Sequence, residues 1–390
     1  AHSLTTTVTD TAGNTGDPSA PLTFNIDVTI PDAPTNLALN NDAGGAAVPI
    51  NSGDASNDNT PVLSGSAPEG SIITVSDGGT VLGTVTVGSG GDWSFTTPEL
   101  NEGSHSLTAT VTSPAGNTSA PTAPIVVVVD TVAPDTPVIS AVGGEPSGGF
   151  ITDATPTVGG TGVNGETVIV YNNGVELGRV VVANGEWNLD LPAQTDGPLN
   201  ITVAGVDAAG NVSAPSPVFT VTLDTVAPAI PQINAVSDSQ LTNNVLYTRD
   251  GVPTLTGTGE PGSTVIVSVD GTPSAVPVTV QPNGSWTWTA DGTLADGQHT
   301  FPVSASDPAG NTSASSAPLN VTVDTLDPTA PDNLNLAAEG TPLTGTAEAG
   351  SIITVTDGST VIGTGVVDST GNFSIAVSPA FFQPGNVFRN

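Results

Sequence analysis

Asp207-Ala208-Ala209-Gly210-Asn211 and, thirteen residues on, Asp224-Thr225-Val226-Ala227-Pro228 decide how this chain is read. The first stretch has counterparts in Asp10-Thr-Ala-Gly-Asn14, Ser113-Pro-Ala-Gly-Asn117 and Asp307-Pro-Ala-Gly-Asn311. The second has counterparts in Asp27-Val-Thr-Ile-Pro31, Asp130-Thr-Val-Ala-Pro134 and Asp324-Thr-Leu-Asp-Pro328, each with another proline three residues later. Both landmarks recur at spacings of 103, 94 and 100 residues. Two landmarks on one period mark an array of repeats. The expected units are residues 1–30, the last two strands of a partial domain; 31–130, 131–224 and 225–324, complete domains; and 325–390, a domain lacking its last strands.

Within each unit the pattern is that of strands. β-Branched runs such as Ser71-Ile-Ile-Thr-Val75, Thr167-Val-Ile-Val170 and Thr264-Val-Ile-Val267 lead into Asp77-Gly-Gly, Asn172-Asn-Gly and Asp270-Gly. Those residues tolerate positive φ and favour tight hairpins. A later turn always precedes an aromatic: Gly91-Asp-Trp93, Gly185-Glu-Trp187, Gly284-Ser-Trp286 and Gly371-Asn-Phe373. That aromatic is expected to anchor the small core of its unit. Glycine and proline, 46 and 34 of the 390 residues, break helices throughout. About seven strands per unit, with turns every 8–12 residues, predict an all-β chain of tandem immunoglobulin-like, seven-stranded β-sandwiches in an elongated rod. The linkers are short and carry two prolines, which stiffens them.

Charge excludes several partners. There are 3 Lys+Arg against 37 Asp+Glu, a net charge of −34, and no lysine at all. Phosphate tracking needs clustered cations, so nucleic acid is excluded and anionic membranes are repelled. The longest apolar run, Ile125–Val129, is too short to span a bilayer, so no membrane insertion is expected. Without cysteine, neither disulfides nor thiolate metal sites hold the fold. Methionine is absent even at position 1, which reads as a fragment or a processed product whose export signal or anchor lies outside this stretch.

Sandwich connectivity gathers acids at the poles where units meet. The first junction has Asp27 and Glu69, with Ser113 where the other repeats carry Asp. The second has Asp130, Glu166, Asp207 and Asp58. The third has Asp224, Glu260, Asp307 and Asp153, and the fourth has Asp324, Glu348 and Asp250. Carboxylates converging without cations repel, and Ca²⁺, which takes six to eight oxygens, turns that repulsion into a brace. Calcium ions are therefore the expected partner, bound most weakly at the first junction. The competing explanation is that Asp in Asp-x-Ala-Gly-Asn closes a local Asx turn and that the linker acids are solvated surface charges. The two roles are compatible.

These linkers, the Gly-Ser-x-Ile/Val-Thr-Val strand, the Gly-x-Trp turn and Asp-x-Ala-Gly-Asn together resemble the bacterial Ig-like repeats of giant surface adhesins, among them biofilm-associated and type I-secreted ones. The resemblance covers essentially the whole chain. It implies an extended, calcium-stiffened stalk outside the cell, at the bacterial surface, whose partners are neighbouring repeats of the same protein.

Catalytic chemistry has no footing in the pattern. His2, His105 and His299 fall at one repeat position, where the third unit has Leu199, and read as half-exposed strand residues. No Gly-x-Ser-x-Gly elbow occurs. Glu99 and Glu102 lie in a polar loop without a pocket signature. Trp288, beside Trp286, reads as packing against a competing sugar-stacking patch, and the low aromatic content argues against a glycan-binding module. The partial units are complementary: 1–30 supplies two strands, and 325–390 lacks them from about Asn386-Val387-Phe388 on. Head-to-tail self-association by strand addition, returning Asp10 to the junction of Asp324, competes with a cut in a longer array.

Overall fold

The computed structural model describes residues 1–337 and 341–377, and every regular element in them is a β-strand. The chain divides into two compact units, Ala1–Thr225 and Val226–Asn390.

In the first unit, residues 31–130 form two facing sheets. One is ordered Val48–Ile50, Thr35–Asn41, Val62–Ser66, Asp92–Thr96. The other is ordered Ala55–Ser56, Ile125–Val129, Gly103–Thr112, Ile72–Asp77, Thr80–Thr86. The seven expected strands are thus joined by two short ones. Of these, Ala55–Ser56 runs parallel to Ile125–Val129 and covers an edge that would otherwise be open. Residues 131–224 repeat the plan, with Val138–Val142, Thr157–Thr161 and Glu186–Asp190 facing a five-stranded sheet centred on Gly197–Val206. Ahead of them, His2–Leu4 pairs with Leu22–Phe24 alone, and both strands are exposed.

The second unit holds the same sandwich with one interruption. Pro302 has no N–H to donate, and it separates Gly297–Phe301 from Val303–Ser306 where the other repeats run one ten-residue strand. A hairpin, Ser239–Thr242 and Val245–Thr248, is added at the sheet edge. Further on, Asp332–Asn335, Leu343–Thr346 and Asn372–Ile375 form one sheet, and Ile352–Asp357 pairs with Thr360–Val366.

Each core forms around the expected aromatic. Trp93, Trp187, Trp286 and Phe373 are all buried. Each lies directly across the ladder from a glycine: Gly65, Gly160, Gly257 and Gly345. The ring takes the space of the missing side chain. A Cβ at Gly160 would lie 1.9 Å from the Val138 carbonyl oxygen and 2.7 Å from the Trp187 ring. Trp288 is buried too, packs edge-on against Phe301 and donates its indole N–H to Ser274 Oγ, so it is a core residue.

Candidate functional site: the linkers and the loops that grip them

Each linker is held first by the repeat it leaves. The backbone N–H of Asp130, Asp224 and Asp324 bonds the carbonyls of Ser56, Ile151 and Thr248, so the acid that opens the linker is still tied to the sheet edge. The following threonine is then caught by an acid 29 residues upstream. Thr131 donates its N–H and hydroxyl to Glu102. Thr225 does the same to Asp196, at 3.3 and 3.0 Å, and Thr325 to Asp296, at 2.9 Å each. Charged acceptors make these the stronger class of hydrogen bond. Glu102 thus has a role that a polar loop without a pocket signature does not announce; the recurrence of an acid before each of Gly103, Gly197 and Gly297 is the signal in the sequence.

At the linkers of Asp27 and Asp130 the repeat that follows takes hold through the Ala-Gly-Asn turn. Asn211 Nδ2 donates to the Asp130 carbonyl and to Asp207 Oδ2, both at 2.8 Å. Asp207 Oδ1 accepts the N–H groups of Ala209 and Asn211. Asp10 holds Asn14, and Asp307 holds Asn311, in the same way. The Asp is therefore a turn-forming anchor, and the Asn is the hand that reaches the linker. At the first junction Asn117 still donates to the Asp27 carbonyl at 2.8 Å, but its anchor is the neutral Ser113, at 3.3 Å from Asn117 N. The N–H of Asn57 also bonds the Ala209 carbonyl, so the loop that follows Ala55–Ser56 in the second repeat meets the same turn.

The acids expected to converge divide into two kinds. Asp58, Asp153 and Asp250 close local turns, accepting N–H groups from Thr60, Thr155 and Val252. Asp58 also accepts from Asp42, and Asp250 from Ser237. Among linker acids, Asp27, Asp130 and Asp324 accept from Thr29, Val132 and Leu326 two residues on.

Glu166 is different. Its Oε2 is buried and has no hydrogen-bond partner. Burial first, then the charges of Asp207 and Asp135, push its carboxyl above the ordinary range. Of the acids expected at the second junction, Asp207 acts on Glu166, and Asp135, which was not expected there, acts on it as well. Among the described residues no three such side chains already sit close enough to share one ion.

The remaining junctions are less crowded. Glu69 is exposed, and Glu260 Oε2 accepts the Ala229 N–H at 3.4 Å. Asp324 and Glu348 line one groove together with Arg249, which pairs with Asp238 at 3.7 Å, so this junction carries its own cation. The strand start expected near Asn386-Val387-Phe388 lies outside the described residues.

Two histidines at the common repeat position are not idle strand residues. His105 Nδ1 lies 2.7 Å from Asp77 Oδ2, and its Nε2 lies 2.7 Å from the Asn101 carbonyl. His299 repeats this with Asp270 at 2.7 Å and the Ala295 carbonyl at 2.8 Å. His2 stacks on Phe24 instead.

Residues 29–131, 137–225 and 226–325 each match the family described as bacterial Ig-like domain, and residues 327–387 match the bacterial Ig domain. The chain belongs to the bacterial Ig-like domain family. Its curated relatives include chitinase A1 of Niallia circulans, 32% identical over 52% of this chain. Exoglucanase B of Cellulomonas fimi is 31% identical over 54% of it. The matches span only 27% and 19% of those enzymes' lengths. Among solved structures, a 1.5-MDa bacterial ice-binding adhesin is similar at 22% identity over 76% of this chain and all of that one, with a TM-score of 0.28. A tetra-tandem repeat from the extending region of a large adhesion protein is similar at 23% identity over 84% and 89%, with a TM-score of 0.27.

Proposed function

We propose that this chain is a non-catalytic stalk segment of a large bacterial surface adhesin, acting outside the cell, whose task is to hold successive sandwiches in register. The observation that carries this reading is the two-sided grip on the linker at Asp130, with its asparagine half repeated at Asp27. Threonine is fixed to the repeat before it, and the carbonyl of the linker Asp is bonded by asparagine from the repeat after it. A linker held at both ends transmits tension and resists bending. Chains meant to wander use flexible, unbonded linkers.

Calcium is part of the proposal, and it is centred on the second junction. The unpartnered Glu166 oxygen feels the charges of Asp207 and Asp135, and a calcium ion drawing these carboxyls closer, with the Asp130 carbonyl on Asn211 nearby, would relieve that repulsion. The first junction has Ser113 in place of an acid, and the fourth has Arg249, so both depend less on the ion.

Small-angle scattering of the chain in millimolar Ca²⁺ and in chelator tests the brace: a profile that broadens on chelation is expected, and identical profiles remove calcium. Incubation with chitin and cellulose tests the absence of catalysis. The identity to segments of chitinase A1 and exoglucanase B supports a second setting for the same mechanics, a spacer inside a secreted polysaccharide-degrading enzyme. Locating the parent protein by antibody, on the cell surface or in the culture fluid with hydrolase activity, separates the two.

A further inference from the structure

We propose that His105 with Asp77, and His299 with Asp270, are proton-dependent staples that set how firmly the linker leaving each of those repeats is anchored.

The geometry specifies the charged ring. Asp77 Oδ2 and the Asn101 carbonyl only accept hydrogen bonds, and both lie 2.7 Å from ring nitrogens. A neutral imidazole has one N–H, so it can satisfy one of them and must turn a lone pair towards the other. The imidazolium satisfies both. His299 stands in the same position between Asp270 and Ala295. Each Asp is itself fixed by a backbone N–H, from Ser106 and Thr300 respectively.

The staple joins a hairpin turn to the loop that grips the linker. Asn101 is adjacent to Glu102, which holds Thr131, and Ala295 is adjacent to Asp296, which holds Thr325. Losing the proton releases the carbonyl next to the gripping acid.

The third repeat performs the same connection without a titrating group. Asn172 takes the place of Asp77, accepting the Asn200 N–H and donating to Gln194 in the equivalent loop, while Leu199 fills the histidine's position. Asp196 still holds Thr225.

Among the described residues, the titratable groups around these rings are few. The bonded strands Ile125–Val129 and Leu319–Val323 contain none. The loops bring Glu99 and Glu102, or Asp291 and Asp296, of which Glu102, Asp291 and Asp296 are engaged by Thr131, Ser274 and Thr325. The charges acting on the rings are those of Asp77 and Asp270.

Burial disfavours the charged rings, but the carboxylate and carbonyl outweigh it and raise both histidines. A raised histidine contributes stability that is complete below about 6.5 and is lost as pH rises through its folded value. Asp77 and Asp270 are lowered, so their contribution holds above about 3.9 and fails as pH falls through their folded values. The staples are strongest between those limits.

The test is pH-dependent amide exchange of the whole chain, corrected for intrinsic rates, read at Thr131, Thr225 and Thr325. Between about pH 5.5 and 8.5, protection at Thr131 and Thr325 should fall about tenfold while Thr225 is unchanged. Equal responses at all three overturn the proposal. So does histidine NMR showing His105 and His299 titrating at or below the ordinary imidazole value of about 6.5. The variant Asp77→Asn, which copies the third repeat's residue, should abolish the response at Thr131 and leave it at Thr325. Any other pattern counts against the staple.

Discussion

The second and third repeats are built on one plan and differ where charge is placed. Both bury a tryptophan against a glycine across the ladder, and both hold the outgoing threonine with an upstream acid. Among the positions where they part are Ser113 against Asp207, His105 against Leu199, and Asp77 against Asn172. Glu166 in the third repeat has a buried, unpartnered oxygen, whereas Glu69 in the second is exposed. The shared features are steric and fix the sandwich. The differing ones are electrostatic and tune what happens at its poles. A repeat array can thus keep one core while carrying a different arrangement of charge at each junction.

The largest effects should be those that strike the shared plan. Gly160→Ala forces a Cβ to 1.9 Å from the Val138 carbonyl and into the Trp187 ring, and Gly65→Ala meets the equivalent Thr35 carbonyl at 2.9 Å and the Trp93 ring at 3.0 Å, so less must give way. Trp187→Ala empties the core and should cost about 3–5 kcal/mol. Gly160→Ala should cost about 1–3 kcal/mol or more, and Gly65→Ala less than Gly160→Ala. Chemical denaturation of the chain checks the order. Equal costs for the two glycine variants would show that the closeness of Val138 is not what matters.

Next in size is the asparagine grip. Asn211→Ala removes a bond to the Asp130 carbonyl and leaves Asp207 without a side-chain partner; Asn117→Ala removes a bond whose anchor is only Ser113. The first should cost roughly 1–3 kcal/mol at its junction and the second about 1 kcal/mol. Proteolysis at residues 130–137 and 27–34 reads the difference. Ser113→Asp should narrow it.

Much of this plan was legible in the chain. Landmarks on a shared period gave the repeats, and Gly-x-Trp marked the core aromatic, because turns and periodicity are local. The glycine facing each tryptophan was not legible, since Gly65 and Trp93 meet only through strand register. The same holds for Glu102 with Thr131 and for Asp77 with His105, pairs 29 and 28 residues apart. For the acids, sequence showed which poles they approach but not how their oxygens are already engaged. Asp58 and Asp153 look like candidate ligands until the Thr60 and Thr155 N–H groups are placed on them. Asp135 escaped notice because it follows the linker proline, and only the path of the backbone carries it to Glu166.

The Glu166 contrast gives a smaller effect whose sign depends on the cation. A carboxyl raised by burial and like charge destabilises the folded state once pH exceeds its unfolded value, and protonation or a bound cation relieves this. Glu166→Gln should therefore raise stability in chelator by a few tenths to about 1 kcal/mol and erase most of the gain that calcium brings. Glu69→Gln should do neither. Thermal melts at neutral pH, with and without millimolar Ca²⁺, separate the cases. A calcium gain that survives Glu166→Gln would move the ion elsewhere.

The smallest effect transplants the proton response. Asn172→Asp with Leu199→His places in the third repeat the pair that the second carries, on strands with matching register: Asn200 N–H already donates to residue 172, as Ser106 N–H does to Asp77. Leu199 is buried, 3% exposed, so the new ring must displace apolar contacts and pays a desolvation cost that His105, at 11%, meets only in part. The doubly substituted repeat should be less stable overall at neutral pH and should recover about 0.5–1.5 kcal/mol as pH falls towards 5.5, where the ring takes its second proton. Asn172→Asp alone lacks the ring and should show no such recovery. If the double variant stays flat as well, the carboxylate and the loop carbonyl are insufficient to hold the charge, and the half-open setting of His105 is what makes the second repeat's staple work.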